Sequence, residues 1–235
     1  MQLFYETFFD SSQQLHFQFN EYNHHHATHV LRMKVGDELS IINGKGLEAI
    51  GEITQIVKKG TFIKFSTIHV HEQKNNIHIA ISFTKNPNRM EWLLEKITEI
   101  GVREITPLIT QRSEHIYFKK ERFEKIMVSA MCQSHQFFLP EINSPYKLDD
   151  FIRKTHLTQK FIAHCDNSIE RKPLIQISNH RDAILCIGPE GDFTKNEIKN
   201  CLTNGFQSVT LGSTRLRTET AALVACAILK TKQNE

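Results

Sequence analysis

The five cysteines of this 235-residue chain (Cys132, Cys165, Cys186, Cys201 and Cys226) include no Cys-x-x-Cys pair. An odd number without metal-ligand spacing argues against a disulfide framework or a zinc ribbon and reads as reduced, mostly buried thiols in a reducing compartment. Also missing are the glycine-rich dinucleotide fingerprint, the P-loop, the Gly-x-Ser-x-Gly elbow and His-Glu-x-x-His. Nicotinamide dehydrogenase, P-loop NTPase, α/β-hydrolase and zinc-enzyme readings therefore lose their usual markers. No apolar run approaches the roughly 20 residues needed to span a bilayer, so no membrane partner is expected. The opening Met1–Glu6 has no basic leader, so a signal peptide is not expected and the location reads as cytoplasmic. Charge is not one-sided either. With 29 Lys and Arg against 26 Asp and Glu, the net charge of +3 permits a nucleic-acid partner without requiring one. The cluster His24-His25-His26 with His29 has no Cys or carboxylate following at zinc-like spacing; a polar helix face accounts for it, and no metal is expected.

What is present changes period part way along the chain. Leu15, Phe17 and Phe19 alternate with His16, Gln18 and Asn20, the pattern of a half-buried strand. Leu39–Ile42 leads through Asn43-Gly44-Lys45-Gly46, a hairpin turn, into Leu47–Ile53, and Thr61–Val70 is a further β-branched and aromatic run. A short helix is expected near His24–Met33. Several short strands at close spacing imply a small barrel over residues 1–72.

After the polar stretch His71–Asn76, strands and helices alternate, which implies a mostly parallel sheet covered on both faces, spanning 73–235. Ile77–Phe83 is a strand. Arg89–Ile100 carries apolar residues at helical spacing after Asn88 and stops at Gly101. Val102–Ile109 is a strand interrupted by Pro107, and Lys119–Leu139 reads as one long helix ended by Pro140. Phe161–His164, Ala183–Ile187 and Val209–Leu211 are short strands. The stretches around Ser144–Tyr146 and Ser168–Pro173 read as loops.

Two of these strands hand over to helices through glycine-bearing turns. Ala183–Ile187 runs into Gly188-Pro189-Glu190-Gly191, and Val209–Leu211 into Gly212-Ser213-Thr214-Arg215-Leu216-Arg217-Thr218-Glu219. In an open α/β sheet, ligands bind outside the carboxyl ends of strands, where backbone amides and helix N-termini converge. Thr194 with Glu197 is a capping box, so the next helix begins near Lys195 and closes at Asn204-Gly205. Thr218 is a candidate N-cap for a helix Glu219–Lys230. Glu219 has a structural explanation in the helix dipole, whereas Arg217 beside a helix start calls for a partner or a substrate. His164 ends a third strand and is equally explained as a satisfied core histidine. Glu190 either contacts a ligand or braces its loop.

At these motifs the sequence resembles the RsmE family, SPOUT-superfamily enzymes that methylate N3 of one uridine in 16S ribosomal RNA with S-adenosylmethionine. His26 with Val30-Leu31-Arg32 and Gly36-Asp37, Lys85 with Arg89-Met90-Glu91, Gln133-Ser134, Gly188–Gly191 and Leu216–Ala221 carry the resemblance across nearly the whole chain. It implies a PUA-like β-barrel over 1–72, binding RNA, and a knotted α/β methyltransferase domain over 73–235, assembled as a homodimer on the small ribosomal subunit. It implies a cofactor pocket of His164, Gly188, Glu190, Gly191, Leu211, Gly212 and Leu216. It also implies Arg217 and Glu219 nearest the target base, with Arg32 and Arg89 toward the RNA. Three positions depart from the family pattern: Asp192 stands where Gly is usual, Thr214-Arg215 replaces Arg and an aliphatic residue, and His135-Gln136 replaces Gly-Arg.

In this reading uracil N3 attacks the methyl group, Arg217 stabilises the charge spreading onto the carbonyl oxygens, and Glu219 either orients Arg217 or takes the proton. The rival readings are a SPOUT enzyme acting on tRNA or a ribose 2′-oxygen, and a non-catalytic RNA-binding adaptor.

Overall fold

A computed structural model describes residues 1–7, 9, 16–73, 76–114, 118–179 and 182–233. The chain folds as two compact units: residues 1–73 with 131–139, and residues 74–130 with 140–235.

The first unit contains β1 (Gln2–Tyr5), β2 (His16–Gln18), α1 (Glu21–His25), a π-helical turn (His26–Val30), β3 (Glu38–Ile42), β4 (Leu47–Val57) and β5 (Gly60–Val70). Its five strands are ordered β1-β3-β4-β5-β2, with β1 parallel to β3 and the remaining pairs antiparallel. Register shifts between Ile50 and Gly51 and between Ile53 and Gln55 sharpen the twist of the long β4–β5 ribbon, as bulges do. Phe17 and Phe19 are buried while His16 and Gln18 face solvent, as the alternation predicts; Leu15 lies outside the described residues. The core is aromatic. Phe4, Phe9, Phe17, Phe19 and Phe65 pack with Leu39, Ile41, Ile53 and Ile63, and each such side chain contributes about 1.5–3 kcal/mol through burial. The expected helix at His24–Met33 is instead α1 continued by the π-helical turn, in which the His25 and His29 rings stack at 4.6 Å.

The second unit is built on eight strands: β6 (Ile77–Ile81), β7 (Glu104–Ile109), β8 (Glu141–Ile142), β9 (Tyr146–Lys147), β10 (Gln159–Ala163), β11 (Lys172–Pro173), β12 (Ala183–Ile187) and β13 (Gln207–Thr210). The order is β11-β13-β10-β12-β6-β7-β8, with β9 also on β7, and every pairing is parallel. Its helices are α2 (Pro87–Ile100), α3 (Lys120–Gln133), α4 (Leu148–Lys154), α5 (Leu174–Ile177), α6 (Lys195–Thr203) and α7 (Thr218–Gln233), with the end of α3 belonging to the first unit. β6 and β12 are buried at every position, as continuous apolar runs in a doubly covered parallel sheet should be.

Several element bounds differ from the sequence reading by a few residues, and four departures have a clear local cause. Helix α2 starts two residues early, because Asn86 caps it through the Asn88 amide and Pro87 fits the first helical position. Pro107 does not interrupt β7: it sits opposite Ile81, where the other edge is unpaired between Ile105 and Leu108, a place that tolerates proline. Helix α3 ends at Gln133 rather than continuing to Leu139. His135 turns into the left-handed region (φ 54°), Phe138 bridges to Lys45, and the Leu139 amide donates to the Gly44 carbonyl. Thr218 lies inside α7 rather than capping it, and its hydroxyl donates to the Gly188 carbonyl instead.

Near the starts of β6 and β7 a polar network is buried. His78 Nε2 lies 2.8 Å from Thr106 Oγ1 and its Nδ1 lies 3.4 Å from Glu104 Oε2; Asn143 donates to both Glu104 and Thr106. Burial pushes the His78 pKa down from 6.5 to about 4, so the Glu104 contact is made by a neutral imidazole rather than by an ion pair. Because the folded state disfavours the proton, stability is complete above pH 6.5 and falls as pH drops from 6.5 toward 4, by about 3 kcal/mol in all. Urea denaturation of wild type and His78→Asn across that range is the measurement; the variant is expected to lose most of the slope.

The thiols fit the reduced reading in part. Cys186, Cys201 and Cys226 are buried, and burial pushes all three up, Cys201 to about 12. Cys165 is exposed.

Candidate active site

Parallel register sets the site. Ala163 pairs with Ile187 and Val209, and Ile187 with Ile81, so the chain leaves β10, β12 and β13 side by side at one edge of the sheet. His164, Gly188 and Leu211 are each the first residue beyond those strands. A cavity of about 730 Å³ opens there, a size suited to a small-molecule ligand.

The β12 exit is shaped by glycine and by Phe193. A Cβ on Gly188 would come within 3.1 Å of the Phe193 ring and amide, a tight approach that a larger residue makes only if the ring or loop gives by a few tenths of an ångström. The turn closes when the Asp192 amide donates to the Pro189 carbonyl, with Asp192 at φ 63°, a conformation Asp tolerates. The Asp192 carboxylate then accepts the Cys165 amide at 2.8 Å and the Phe193 amide at 2.8 Å, joining the β10 exit to the β12 loop. Helix α6 follows with both halves of the capping box formed, and Glu197 further accepts the Gln111 amide.

At the β13 exit Gly212 has φ 144°, and a Cβ there would meet nothing within 4 Å, so the position is open on its cavity side. From here the chain runs to α7, which packs against β6 and β12. On the way Arg215 Nη2 donates to the Glu190 carbonyl (3.2 Å), and Thr218 to the Gly188 carbonyl (3.2 Å).

His164 is buried against β13. The Asp166 amide donates to Nδ1, which places the ring proton on Nε2, 2.9 Å from Ser208 Oγ. Burial pushes its pKa down, Arg171 reinforces that, and Asp192 and Asp166 oppose it. The imidazole is thus a neutral, doubly held wall residue. The Arg171 guanidinium bonds to the His164 carbonyl (2.7 Å) and to Asn167 Oδ1 (2.6 Å), fixing the loop after β10.

Of the residues expected from sequence, His164, Gly188, Glu190, Leu211, Gly212, Leu216 and Arg217 all line this cavity. Gly191 and Glu219 are not among its walls. The Gly191 carbonyl turns toward Arg112 (2.6 Å), and Glu219 is buried in the first turn of α7. Its Oε1 lies 3.7 Å from Arg89 Nε, and its Oε2 has no hydrogen-bond partner among the described residues. Arg89 is therefore engaged with Glu219 at the start of α2. Arg32 belongs to the first unit, exposed, with φ 54°. Arg171, Asn167 and Asp192 are wall residues that the sequence reading did not assign. Their signals were a stretch read as loop and an unusual acid after Gly188–Gly191. A slightly larger hollow of about 810 Å³ lies on α2 and α3, lined by residues such as Glu91, Lys119, Arg122 and Lys125. No strand exit or glycine turn reaches it, and the convergence of chain exits identifies the 730 Å³ cavity as the site.

Apolar surfaces from Ile187, Pro189, Leu211 and Leu216, with a few fixed polar groups, are the usual lining for a cofactor of nucleoside size. No helix among the described residues is long and apolar enough to cross a membrane.

Comparison with known proteins agrees with this geometry. Residues 71–230 match the family model described as RNA methyltransferase domain, and residues 23–66 match the RNA methyltransferase PUA domain. Ribosomal RNA small subunit methyltransferase E of Buchnera aphidicola is 32% identical over 221 residues, 89% of this chain and 85% of that protein. A probable rRNA-methyltransferase of Porphyromonas gingivalis superposes with a TM-score of 0.91 at 35% identity, covering 100% of this chain and 99% of the other. The ribosomal RNA small subunit methyltransferase E of Neisseria gonorrhoeae, solved bound to S-adenosyl methionine, gives 0.86 at 27% identity, with 98% and 97% covered. The α/β fold with its N-terminal PUA domain is that of the RNA methyltransferase family that includes ribosomal RNA small subunit methyltransferase E, the RsmE family, and the chain belongs to it.

Proposed function

We propose that this protein uses S-adenosylmethionine to methylate N3 of a specific uridine in 16S ribosomal RNA of the small subunit, acting in the cytoplasm as a homodimer. The observation that carries the proposal is the single cavity into which the β10, β12 and β13 exits open together, with Arg217 in its wall. When bound, the cofactor supplies an electrophilic methyl group to the ring nitrogen. His164, Gly188, Glu190, Leu211, Gly212 and Leu216 line its pocket, and Gly191 serves by anchoring the loop to Arg112.

The target nitrogen must lose its imide proton, and negative charge then spreads to the two flanking carbonyl oxygens. Arg217, exposed in the cavity wall, stabilises that charge. Of the two roles weighed for Glu219, orienting Arg217 lacks support, because its nearest cation is Arg89. The proton-acceptor role lacks support as well, because Glu219 is buried beside Arg89 and is not a wall of the cavity; its carboxylate braces the first turn of α7. The PUA domain, with Arg32 exposed, holds the RNA. Reaching N3 requires an unpaired base, so the substrate region is single-stranded or looped.

The test is methyl transfer from labelled cofactor to small ribosomal subunits and to tRNA from cells lacking this protein, followed by nucleoside analysis. The expected product is 3-methyluridine in 16S RNA alone. Label appearing in tRNA or in a 2′-O-methyl nucleoside would overturn the substrate assignment.

A further inference from the structure

The described cavity walls carry charges of both signs: Glu190 and Asp192 against Arg171, Arg215 and Arg217. Arg171 and Arg215 are tethered by hydrogen bonds to protein oxygens, and Glu190 is exposed. Asp192 differs from Glu190. It is half-buried at the wall, its carboxylate is held in place by two amides from two segments, and its field reaches His164, whose proton affinity it raises. A fixed, partly desolvated carboxylate at a ligand cavity favours a cationic ligand over a neutral one of the same shape. Methyl transfer makes that difference. The N3–CH3 bond forms, the carbon–sulfur bond breaks with its electron pair returning to sulfur, and the positive sulfonium becomes a neutral thioether.

We propose that Asp192 is a specificity-determining residue that makes the pocket prefer the charged methyl donor to its demethylated product, so that charge loss at sulfur helps product leave. This inference rests on the cofactor reading above. The same carboxylate clasps the β10 exit to the β12 loop, so its charge and its clasp need separate variants.

Asp192→Asn tolerates the left-handed backbone and keeps one oxygen to accept the Cys165 amide that joins the two segments, so it removes the charge and only the local bond from the Phe193 amide. Asp192→Gly keeps the backbone and removes both charge and clasp. Calorimetric titration with S-adenosylmethionine and with S-adenosylhomocysteine gives the two affinities without turnover. In Asp192→Asn the donor is expected to weaken by about five- to tenfold, with the product unchanged within about twofold. In Asp192→Gly both ligands weaken. An Asp192→Asn protein that loses affinity for both equally, or keeps the wild-type ratio, overturns the discrimination role while leaving the cofactor assignment intact. Wild type that binds neither ligand overturns the cofactor assignment itself.

Discussion

Replacing Arg217 with alanine is expected to lower methyl transfer by about 10²–10³-fold while cofactor affinity stays within about threefold. Arg217 is exposed in the cavity wall, and its guanidinium makes no hydrogen bond or ion pair among the described residues. The Ala221 amide donates to its carbonyl at 2.8 Å, a backbone bond that alanine keeps. Truncation therefore orphans no buried partner and should cost little stability, as for most exposed side chains. The neighbouring Arg215 is different, because its guanidinium ties the β13 loop to the Glu190 carbonyl. Losing Arg215 should act through pocket shape and so through cofactor affinity. A lysine at 217 restores charge without the planar fork and is expected to recover only part of the rate. Single-turnover rates on small ribosomal subunits, alongside calorimetric cofactor binding, separate these effects. Loss of cofactor binding in Arg217→Ala would make this residue a brace of the pocket rather than a group acting on the base.

How much of this was legible in the sequence follows from element length. β12 is a continuous apolar run bounded by glycine, α6 carries its capping box, and both are where the pattern puts them. Parallel pairing then brings Gly188 and Gly212 to one edge without further information, because every strand of the sheet points the same way. β8, β9 and β11 are two residues each, too short to show a period, and α4 and α5 sit in stretches without caps that announce a helix. The overlong α3 has a different cause. Phe137, Phe138 and Leu139 extend a helical apolar pattern, yet they serve the first unit: Phe137 stacks on His71 at 3.5 Å, and Phe138 bridges to Lys45. Their partners lie some 65 to 95 residues earlier in the chain, beyond any local window. Glu219 sits in the first turn of α7, as the helix-dipole reading expects, but its contact with Arg89, some 130 residues earlier, lies beyond any local pattern. With α7 beginning at Thr218 rather than after it, Thr218 donates to the Gly188 carbonyl and the next side chain is buried near Arg89. Asp192 was visible as an acid where glycine is usual, but its amide partner, Cys165, is 27 residues away.

Phe193→Ala is expected to cost about 3–5 kcal/mol of stability and to weaken cofactor binding at the same time. The ring is 3% exposed and packs with Cys186, Ile198, Cys201 and Phe206 in the core of the second unit. It also lies against Gly188, close enough that no larger residue fits there without displacement, so it supports the loop that carries Gly188–Asp192. Alanine leaves a void on one side and an unsupported turn on the other. Leucine fills most of the volume and should lose far less. A melting temperature lower by about 10 °C or more is the expected direct reading for alanine in a chain of this size. The coupling to the site is read from ligand-induced stabilisation. A cofactor present at 100 times its Kd stabilises the wild type by about 2.7 kcal/mol, and a variant with a loosened pocket gains correspondingly less at the same concentration. A destabilised Phe193→Ala protein that still gains the full increment would show that the loop keeps its shape without the ring. The tight approach at Gly188 would then matter for packing alone, and cofactor affinity would have to be set by the β13 exit and its open Gly212.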